Sequence, residues 1–552
     1  MKGMFILSVL SLAILLAGCA GEADREKAGI SRSDIKSAER LAGLEFTPSE
    51  RDSMLQDLSE NLESYRKLRE IDMENSIPPA LVFNPVPAGR EFTAPEKKMV
   101  VSPAGEVKMP DKIEKLAFYT VRELAELIRT GKITSVQLTE LCLKRLKRYD
   151  PLLKCVVTLT EEQALEQARR ADKEIAAGRY RSLLHGIPYG VKDLLATRYY
   201  HTTWGAEPFR DQLIDRDAVV IRKLEEAGAV LVAKLTLGAL AWGDVWFGGM
   251  TRNPWNTEEG SSGSSAGPAS AVSAGLVPFA IGTETWGSIV SPSTRCGTTG
   301  LRPTFGRVSR AGAMALSWSM DKVGPICRTA EDCAIVFEHI RGGVGEDQSV
   351  INPAFNYDYD INLRNLRIGY LRELFREDYP GSEQDSLFLG RMEELGAELI
   401  PVDLPDYPVM SMAFILSAEA AAAFDRLTRS GRDELLTRQV RNAWPNVFRA
   451  SRFIPAVEYI QANRLRYMLI QDMDRLDVDL YFAPSFGGDN LLLTNLTGHP
   501  CVVLPNGFDD QGSPLSVSII GRPFGEGTIL AVARLFQEGT DFEDRHPEDF
   551  TE

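Results

Sequence analysis

Apolar residues occur along this chain both as short uninterrupted runs and at helical spacing, and the two patterns alternate. Short runs predict buried strands at residues 186–191, 230–235, 366–371, 399–404, 501–504 and 515–520. Apolar residues at helical spacing predict helices at 218–227 and 526–537. Strands that alternate with helices predict an α/β fold whose sheet is covered on both faces.

Residues that cap a helix N-terminus mark helix starts upstream of this region. Residues 47–50 combine a threonine cap, a proline at the first helical position and a glutamate at the third. Capping boxes at residues 120–123 and 134–137 predict two more helices, and residues 160–178 predict another. The first of these helices is expected to pack an apolar face on another surface, formed by Leu55, Leu58, Leu62 and Tyr65.

Prolines concentrate between residues 76 and 111, where they predict an extended connector that lies on the main body. We therefore divide the chain into a signal segment at residues 1–18, a helical N-terminal region with the connector at 19–111, and one large domain at 112–552.

The N-terminus carries a targeting signal. A lysine at position 2 precedes an apolar run at residues 4–16, which is short for a bilayer-spanning helix but typical of a signal peptide. The sequence LAGC at residues 16–19 resembles a bacterial lipobox. That resemblance implies lipidation of Cys19 and a cell-envelope protein held on a membrane surface by its acyl chains, with the catalytic domain outside the cytoplasm. An ordinary cleaved signal and an uncleaved anchor are the alternatives.

Composition narrows the class of function. The 552 residues carry a formal net charge of -15, so a nucleic-acid partner is not expected. The six cysteines other than Cys19 form no CxxC pair, which argues against a disulfide scaffold and a zinc site. Cys327 and Cys333 are read either as a pair or as separate thiols. HExxH, P-loop and GxGxxG motifs are absent from the sequence, so we expect neither a metal nor a cofactor.

The chemistry is expected in a stretch rich in glycine and serine at residues 260–293, GSSGSSAGPASAVSAGLVPFAIGTETWGSIVSPS. Small residues allow close backbone approach, and serine hydroxyls can relay protons. The stretch continues into the apolar run at 271–281, which is suited to burial, whereas a flexible linker would not be embedded in core sequence.

This stretch resembles the amidase signature family, which includes fatty-acid amide hydrolases, malonamidases and the A subunit of tRNA-dependent amidotransferases. The resemblance implies an α/β/α sandwich with a large mixed central sheet, and hydrolysis of a carbon–nitrogen amide bond through an acyl-serine intermediate, without a cofactor. Further matching motifs follow in the family's order: HGIPYGVKD at 185–193, NPWN at 253–256, RCG at 295–297, GLRPT at 300–304, GRVS at 306–309 and GRPF at 521–524.

The family's catalytic residues correspond to Lys192, Ser264 and Ser288 in this chain. Ser288 corresponds to the nucleophile, and Ser264 to the serine that follows a cis peptide bond and links lysine to nucleophile. Lysine is normally protonated and cannot act as a base, but burial can lower its pKa by several units. The resemblance also implies an oxyanion hole made by backbone N–H groups at Thr285, Trp286 and Gly287.

Two positions depart from the family pattern and bear on the substrate. Trp286 replaces a glycine, and its indole is expected either to line the substrate pocket or to fill core. Ser291 stands where malonamidase-like members carry arginine, which argues against a small amide with a carboxylate. Three aromatic residues suggest a pocket for an apolar acyl group: Trp242, Trp246 and Phe247.

Other interpretations stay open at this stage. GSSAG at 263–267 matches the GxSxG motif of α/β-hydrolases, but residues 256–262 are not strand-like. Residues 30–84 resemble the C subunit of the tRNA-dependent amidotransferase, or form a generic helical hairpin. A glutamine-hydrolysing A-type subunit is therefore one alternative, which export opposes because charged tRNA is cytosolic. A catalytically inactive envelope binding protein is another. The expected partner is a small amide substrate, and a homodimer is left open.

Overall fold

A computed structural model describes residues 30–343 and 345–551 of the chain. These residues divide into two compact units. The smaller unit contains residues 30–74 together with Phe453–Pro455, and the larger contains 75–452 and 456–551. The proline-rich connector thus belongs to the larger unit. The predicted signal segment and Cys19 lie outside the described residues.

The smaller unit contains two capped helices, α1 (Arg32–Ala42) and α2 (Pro48–Arg69). The predicted capping box at the start of α2 is present, with the Thr47 and Glu50 side chains each accepting the other's backbone N–H. No residue of α2 is fully buried, so the expected apolar face is only partly covered. A salt bridge of 2.7 Å from Arg51 to Glu39 joins the two helices.

The larger unit contains a mixed eleven-stranded sheet with the order β1-β3-β2-β8-β10-β9-β14-β15-β13-β11-β12. The predicted α/β fold with a large mixed sheet is confirmed. Two short ribbons stand beside the sheet and pair β4 with β5 and β6 with β7. The strands are β1 (Val156–Leu159), β2 (Pro188–Lys192), β3 (Val230–Leu235), β4 (Val245–Trp246), β5 (Gly249–Met250), β6 (Arg252–Asn253), β7 (Asn256–Gly260), β8 (Phe279–Glu284), β9 (Thr299–Arg302), β10 (Lys322–Cys327), β11 (Ile368–Tyr370), β12 (Leu399–Pro401), β13 (Leu480–Pro484), β14 (Cys501–Phe508) and β15 (Pro514–Gly521).

Helices pack around this sheet, and the capping boxes predicted for the first two are present. The described residues contain no helix with the length and apolar character needed to cross a bilayer. The helices of the larger unit are α3 (Val121–Arg129), α4 (Ser135–Leu153), α5 (Glu161–Ala176), α6 (Val219–Ala227), α7 (Ala266–Ser273), α8 (Val290–Cys296), α9 (Ala330–Ile340), α10 (Arg372–Arg376), α11 (Ser382–Glu394), α12 (Phe414–Ala423), α13 (Asp425–Arg429), α14 (Trp444–Ser451), α15 (Ala456–Asp474), α16 (Asn490–Thr497) and α17 (Glu526–Glu538).

The parallel part of the sheet brings the glycine- and serine-rich stretch to the lysine motif. Strand β2 lies between β3 and β8 and runs parallel to both. Lys192 is the last residue of β2, and Glu284 is the last residue of β8. Because parallel strands end at the same edge of a sheet, Lys192 and the turn that follows β8 meet there.

Several expected strands are longer or shorter in the structure. The runs at 366–371 and 399–404 form strands of only three residues each, β11 and β12. Residues 256–260 form the strand β7, so the expectation that this segment is not strand-like is wrong. Its side chains alternate in polarity weakly and are largely exposed, because its pairing partner is one short strand rather than the main sheet.

Candidate active site

Lys192 occupies a fully buried position at the end of β2. Its Nζ lies 2.8 Å from Ser264 Oγ, 3.1 Å from Ser265 Oγ and 2.9 Å from Thr283 Oγ1. Burial lowers the pKa of the Lys192 ammonium well below its ordinary value, although the negative charges of Asp321 and Glu284 oppose the shift. A neutral amine in this position can accept a proton from the Ser264 hydroxyl.

Ser264 lies in a tightly packed loop that leads into α7. The peptide bond between Gly263 and Ser264 is cis. A side chain at Gly263 would lie 1.9 Å from the carbonyl oxygen of Gly243, so only glycine fits. The Ser265 backbone N–H donates to the Ser288 carbonyl oxygen at 3.1 Å, which joins this loop to the turn after β8.

Ser288 lies in the turn between β8 and α8, and the Glu284 carboxylate braces this turn. Glu284 Oε2 accepts from the backbone N–H groups of Ile289 at 2.8 Å and Val290 at 3.0 Å. Its Oε1 accepts from Arg302 at 2.9 Å. Burial opposes ionisation of Glu284, but Arg302 and Lys322 outweigh it and lower the pKa of the carboxyl to about 2. Glu284 therefore stays ionised and fixes the turn.

The same turn presents backbone donors beside Ser288. Within residues 30–343 and 345–551, no protein acceptor is found for the backbone N–H groups of Trp286, Gly287 and Ser288. Gly287 has a φ of 80°, a left-handed conformation that suits glycine. Successive N–H groups in such a turn form a concave site for a negatively charged oxygen.

Asp321 holds the start of this turn from the neighbouring strand region. Thr285 Oγ1 donates to Asp321 Oδ1 at 2.5 Å. The other carboxylate oxygen accepts from the backbone N–H groups of Leu316 at 2.8 Å and Ser317 at 2.9 Å. Burial raises the pKa of the Asp321 carboxyl. Sequence reasoning missed Glu284, Asp321 and Thr283, although a charged residue beside an apolar run is a signal that could have marked the first two.

A cavity of about 290 Å³ opens beside Ser288. Trp286 lines it and is 37% exposed, so its indole belongs to the cavity rather than to the core. Ser291 also lines it, and its hydroxyl lies 2.7 Å from that of Ser262. The remaining lining residues are mostly small or apolar: Ala241, Trp242, Gly243, Gly263, Thr285, Gly287, Leu316, Leu416, Trp444, Phe486 and Leu491.

The three predicted pocket aromatics are thus divided by the structure. Trp242 lines the cavity that Ser288 lines. Trp246 and Phe247 lie outside that lining and pack against each other with ring centroids 4.8 Å apart. The Arg210 guanidinium lies 4.6 Å from the Phe247 ring centroid, so this ring is occupied by a cation–π contact.

A histidine-based alternative finds little geometric basis. His185 accepts from the Arg181 backbone, His499 bonds Thr497 and His546 stacks on Phe118. Burial lowers the pKa of His499 to about 3. Cys327 and Cys333 are buried thiols. Among the described residues, no group of three or more His, Cys, Asp or Glu residues could hold a metal ion.

Comparison with known proteins gives the family. An amidase family model matches residues 137–491. A glutamyl-tRNA(Gln) amidotransferase from Acinetobacter baumannii has an A-type chain that is 33% identical over 477 aligned residues, covering 77% of this chain and 96% of that protein. Native peptide amidase from Stenotrophomonas maltophilia matches with a TM-score of 0.68 and 27% identity, covering 77% of this chain and 98% of the other.

An inhibitor-bound structure from a study of the origins of an s-triazine catabolic enzyme matches with a TM-score of 0.71 and 26% identity, covering 76% of this chain and 98% of the other. The segment matched by the family model contains Lys192, Ser264 and Ser288 and makes up more than half of the sequence. The chain therefore belongs to the amidase signature family and is an amide-hydrolysing enzyme.

Proposed function

We propose that this amidase forms an acyl-enzyme on Ser288, with Lys192 as the general base acting through Ser264. The observation that carries the proposal is the distance of 2.8 Å between Lys192 Nζ and Ser264 Oγ, both buried. Gly263, which precedes Ser264, lines the same cavity as Ser288. The bond from Ser265 N–H to the Ser288 carbonyl further supports a relay across the two segments.

In the proposed reaction, neutral Lys192 takes the Ser264 proton as Ser264 takes the Ser288 proton. Ser288 Oγ then bonds to the amide carbon, and the developing oxyanion accepts from the backbone N–H groups at residues 286–288. The relay in reverse protonates the leaving nitrogen as the carbon–nitrogen bond breaks. Water, deprotonated along the same path, hydrolyses the acyl-serine and restores Ser288.

A fluorophosphonate reagent tests the nucleophile directly. Ser288 Oγ is expected to displace fluoride and remain bonded to phosphorus, and peptide mapping would locate the adduct. Ser288→Ala should take up no label under the same conditions. A label on Ser265 would instead support the GxSxG interpretation and would overturn the proposal.

The curated relatives favour a second candidate for the substrate. The relatives matched at 32–34% identity are the A-type chains of glutamyl-tRNA(Gln) amidotransferases. By this analogy the chain would hydrolyse the side-chain amide of glutamine and pass ammonia to a partner protein. This is better supported by the comparisons than an unspecified amide, whereas the apolar cavity wall around Trp242, Trp286 and Trp444 supports a bulkier substrate.

Two measurements separate these candidates. The glutaminase candidate predicts release of ammonia from glutamine and a rate that rises when a synthetase-type partner is added. The other candidate predicts hydrolysis of apolar amides with little action on glutamine. Full activity on apolar amides with no measurable glutaminase would exclude the amidotransferase interpretation.

A further inference from the structure

A second and larger cavity adjoins the one that Ser288 lines. Its volume is about 470 Å³, which is within the range of small-molecule sites. Three residues line both cavities: Ala241, Thr285 and Leu316. The two spaces therefore meet beside the turn that carries the backbone donors, and one elongated molecule could occupy both.

The connector forms one wall of this second cavity. Ser76, Pro78, Pro79, Leu81 and Val82 line it. These residues precede the segment that matches the amidase family model, which begins at residue 137. This wall is therefore a feature of the chain outside the matched family segment.

Asn75 fixes the start of this wall. Its Oδ1 accepts from the Ala315 backbone N–H at 2.8 Å, and its Nδ2 donates to the Ala315 carbonyl oxygen at 2.9 Å. Ala315 lies in the opposite wall, between Met314 and Leu316. The side-chain amide thus imitates a backbone pairing and holds the connector against the loop at residues 311–318.

Most charged groups at the cavity are already engaged within the protein. Arg310 forms a salt bridge of 3.2 Å with Asp347, and Lys322 donates to the Met320 carbonyl oxygen. Asp321 accepts three hydrogen bonds, from Thr285 and from the backbone at residues 316 and 317. Arg216 also lines the cavity and is exposed to solvent. The surface left for a ligand is largely apolar and includes Pro78, Leu194, Met314, Leu316, Trp318 and Val323.

We propose that this cavity binds an elongated apolar group of the substrate, on one side of the scissile amide, with the connector as part of the specificity site. The inference rests on the proposed role of Ser288 and specifies the substrate class of that site. An apolar group placed there leaves water, and each buried methylene adds several-fold to binding. Glutamine, being small and charged, would leave the cavity empty.

Two series of alkyl fluorophosphonates test this, one lengthening the alkyl group on phosphorus and the other lengthening the alkoxy group. The readout is the second-order rate of labelling at Ser288 in the full chain. We expect the rate to rise about tenfold or more from methyl to octyl in one series, because burial of methylenes stabilises the bound reagent. The responding series shows which side of the amide enters the cavity.

Val82→Asp and Ile77→Asp form a matched pair for the wall. Both side chains are partly exposed on the same connector, at 47% and 51%, but only Val82 lines the cavity. The octyl-to-methyl rate ratio should fall about fivefold or more in Val82→Asp, because a carboxylate disfavours an apolar neighbour. Ile77→Asp should keep the ratio of the unaltered protein.

The possible results separate the two proposals. Labelling of Ser288 at rates independent of chain length in both series would overturn the cavity assignment and leave the nucleophile intact. An unchanged rate ratio in Val82→Asp would also overturn the role of the connector. No labelling of Ser288 by any reagent would overturn the proposed nucleophile, and with it this inference.

Discussion

Lys192 is a fully buried amine surrounded by hydroxyl oxygens rather than by a paired carboxylate. The neighbouring buried lysine, Lys234, differs because its Nζ lies 2.9 Å from Asp193 Oδ1. A lysine with an ion-pair partner is stabilised in its charged form, whereas one surrounded by hydroxyls favours the neutral amine. The two lysines therefore suit different roles, Lys234 in structure and Lys192 in proton transfer.

Lys192→Met should remove the base while keeping the length of the side chain. We expect kcat/KM on a good amide substrate to fall about a hundredfold or more, as is typical for loss of general-base assistance. Thermal stability should be unchanged or higher, because burial disfavours an ammonium at this site. Near-normal turnover in a folded Lys192→Met enzyme, or collapse on replacing any one of the five histidines, would contradict the assignment.

The depressed pKa of Lys192 also predicts the pH dependence of the reaction. Below that pKa the ammonium has no lone pair, and above it the amine can accept a proton. kcat/KM should therefore rise with pH through a value well below the 10.5 of ordinary lysine and then level off. Rate measurements across neutral to alkaline pH would check this, and a rate that falls over that interval would contradict it.

At the scale of elements, the turn between β8 and α8 depends on the carboxylate at its start. Glu284 bonds both the first residues of α8 and Arg302 of β9. The turn is thus tied to the central sheet on two sides. This explains how a short segment without regular structure can hold backbone donors in a fixed direction.

Glu284→Gln should destabilise the protein and disorder this turn. The substitution leaves Arg302 buried without a charged partner, and breaking a buried ion pair costs about 3–5 kcal/mol. Glu383→Gln provides the control, since Glu383 is exposed on α11 and surface changes are usually within about 0.5 kcal/mol. Thermal unfolding of both variants would measure the difference, and equal midpoints would refute the bracing role.

At the scale of the whole molecule, the lipobox at residues 16–19 still implies attachment to a membrane. The proposal that the enzyme is an envelope lipoprotein rests on this sequence pattern. It also bears on the substrate, because an exported enzyme would not meet charged tRNA in the cytosol. Location and substrate are therefore linked questions for this chain.

Cys19→Ser should release the protein from membranes, because the acyl chains attach through the cysteine thiol. Fractionation of cells that express the full chain would compare it with Cys142→Ser, which changes a buried cysteine in α4. Release of the first variant alone is the expected outcome. Retention of Cys19→Ser in the membrane fraction would support an uncleaved anchor instead.

The sequence by itself determined the fold class, the capped helices and the residues proposed for catalysis. These rest on local features: apolar periodicity, capping boxes and a glycine- and serine-rich motif at fixed spacing. Strand ends were predicted less well, and β7 was missed, because pairing with a neighbour decides where a strand stops.

Only the tertiary structure decided what surrounds the catalytic residues. The bond from Thr285 to Asp321, the two bonds from Asn75 to Ala315 and the placement of Trp286 in the cavity depend on segments far apart or oppositely packed. No local period encodes such contacts, since they form when separate strands and loops meet across the sheet edge. The second cavity exists for the same reason, because its walls come from the connector and from loops more than two hundred residues away.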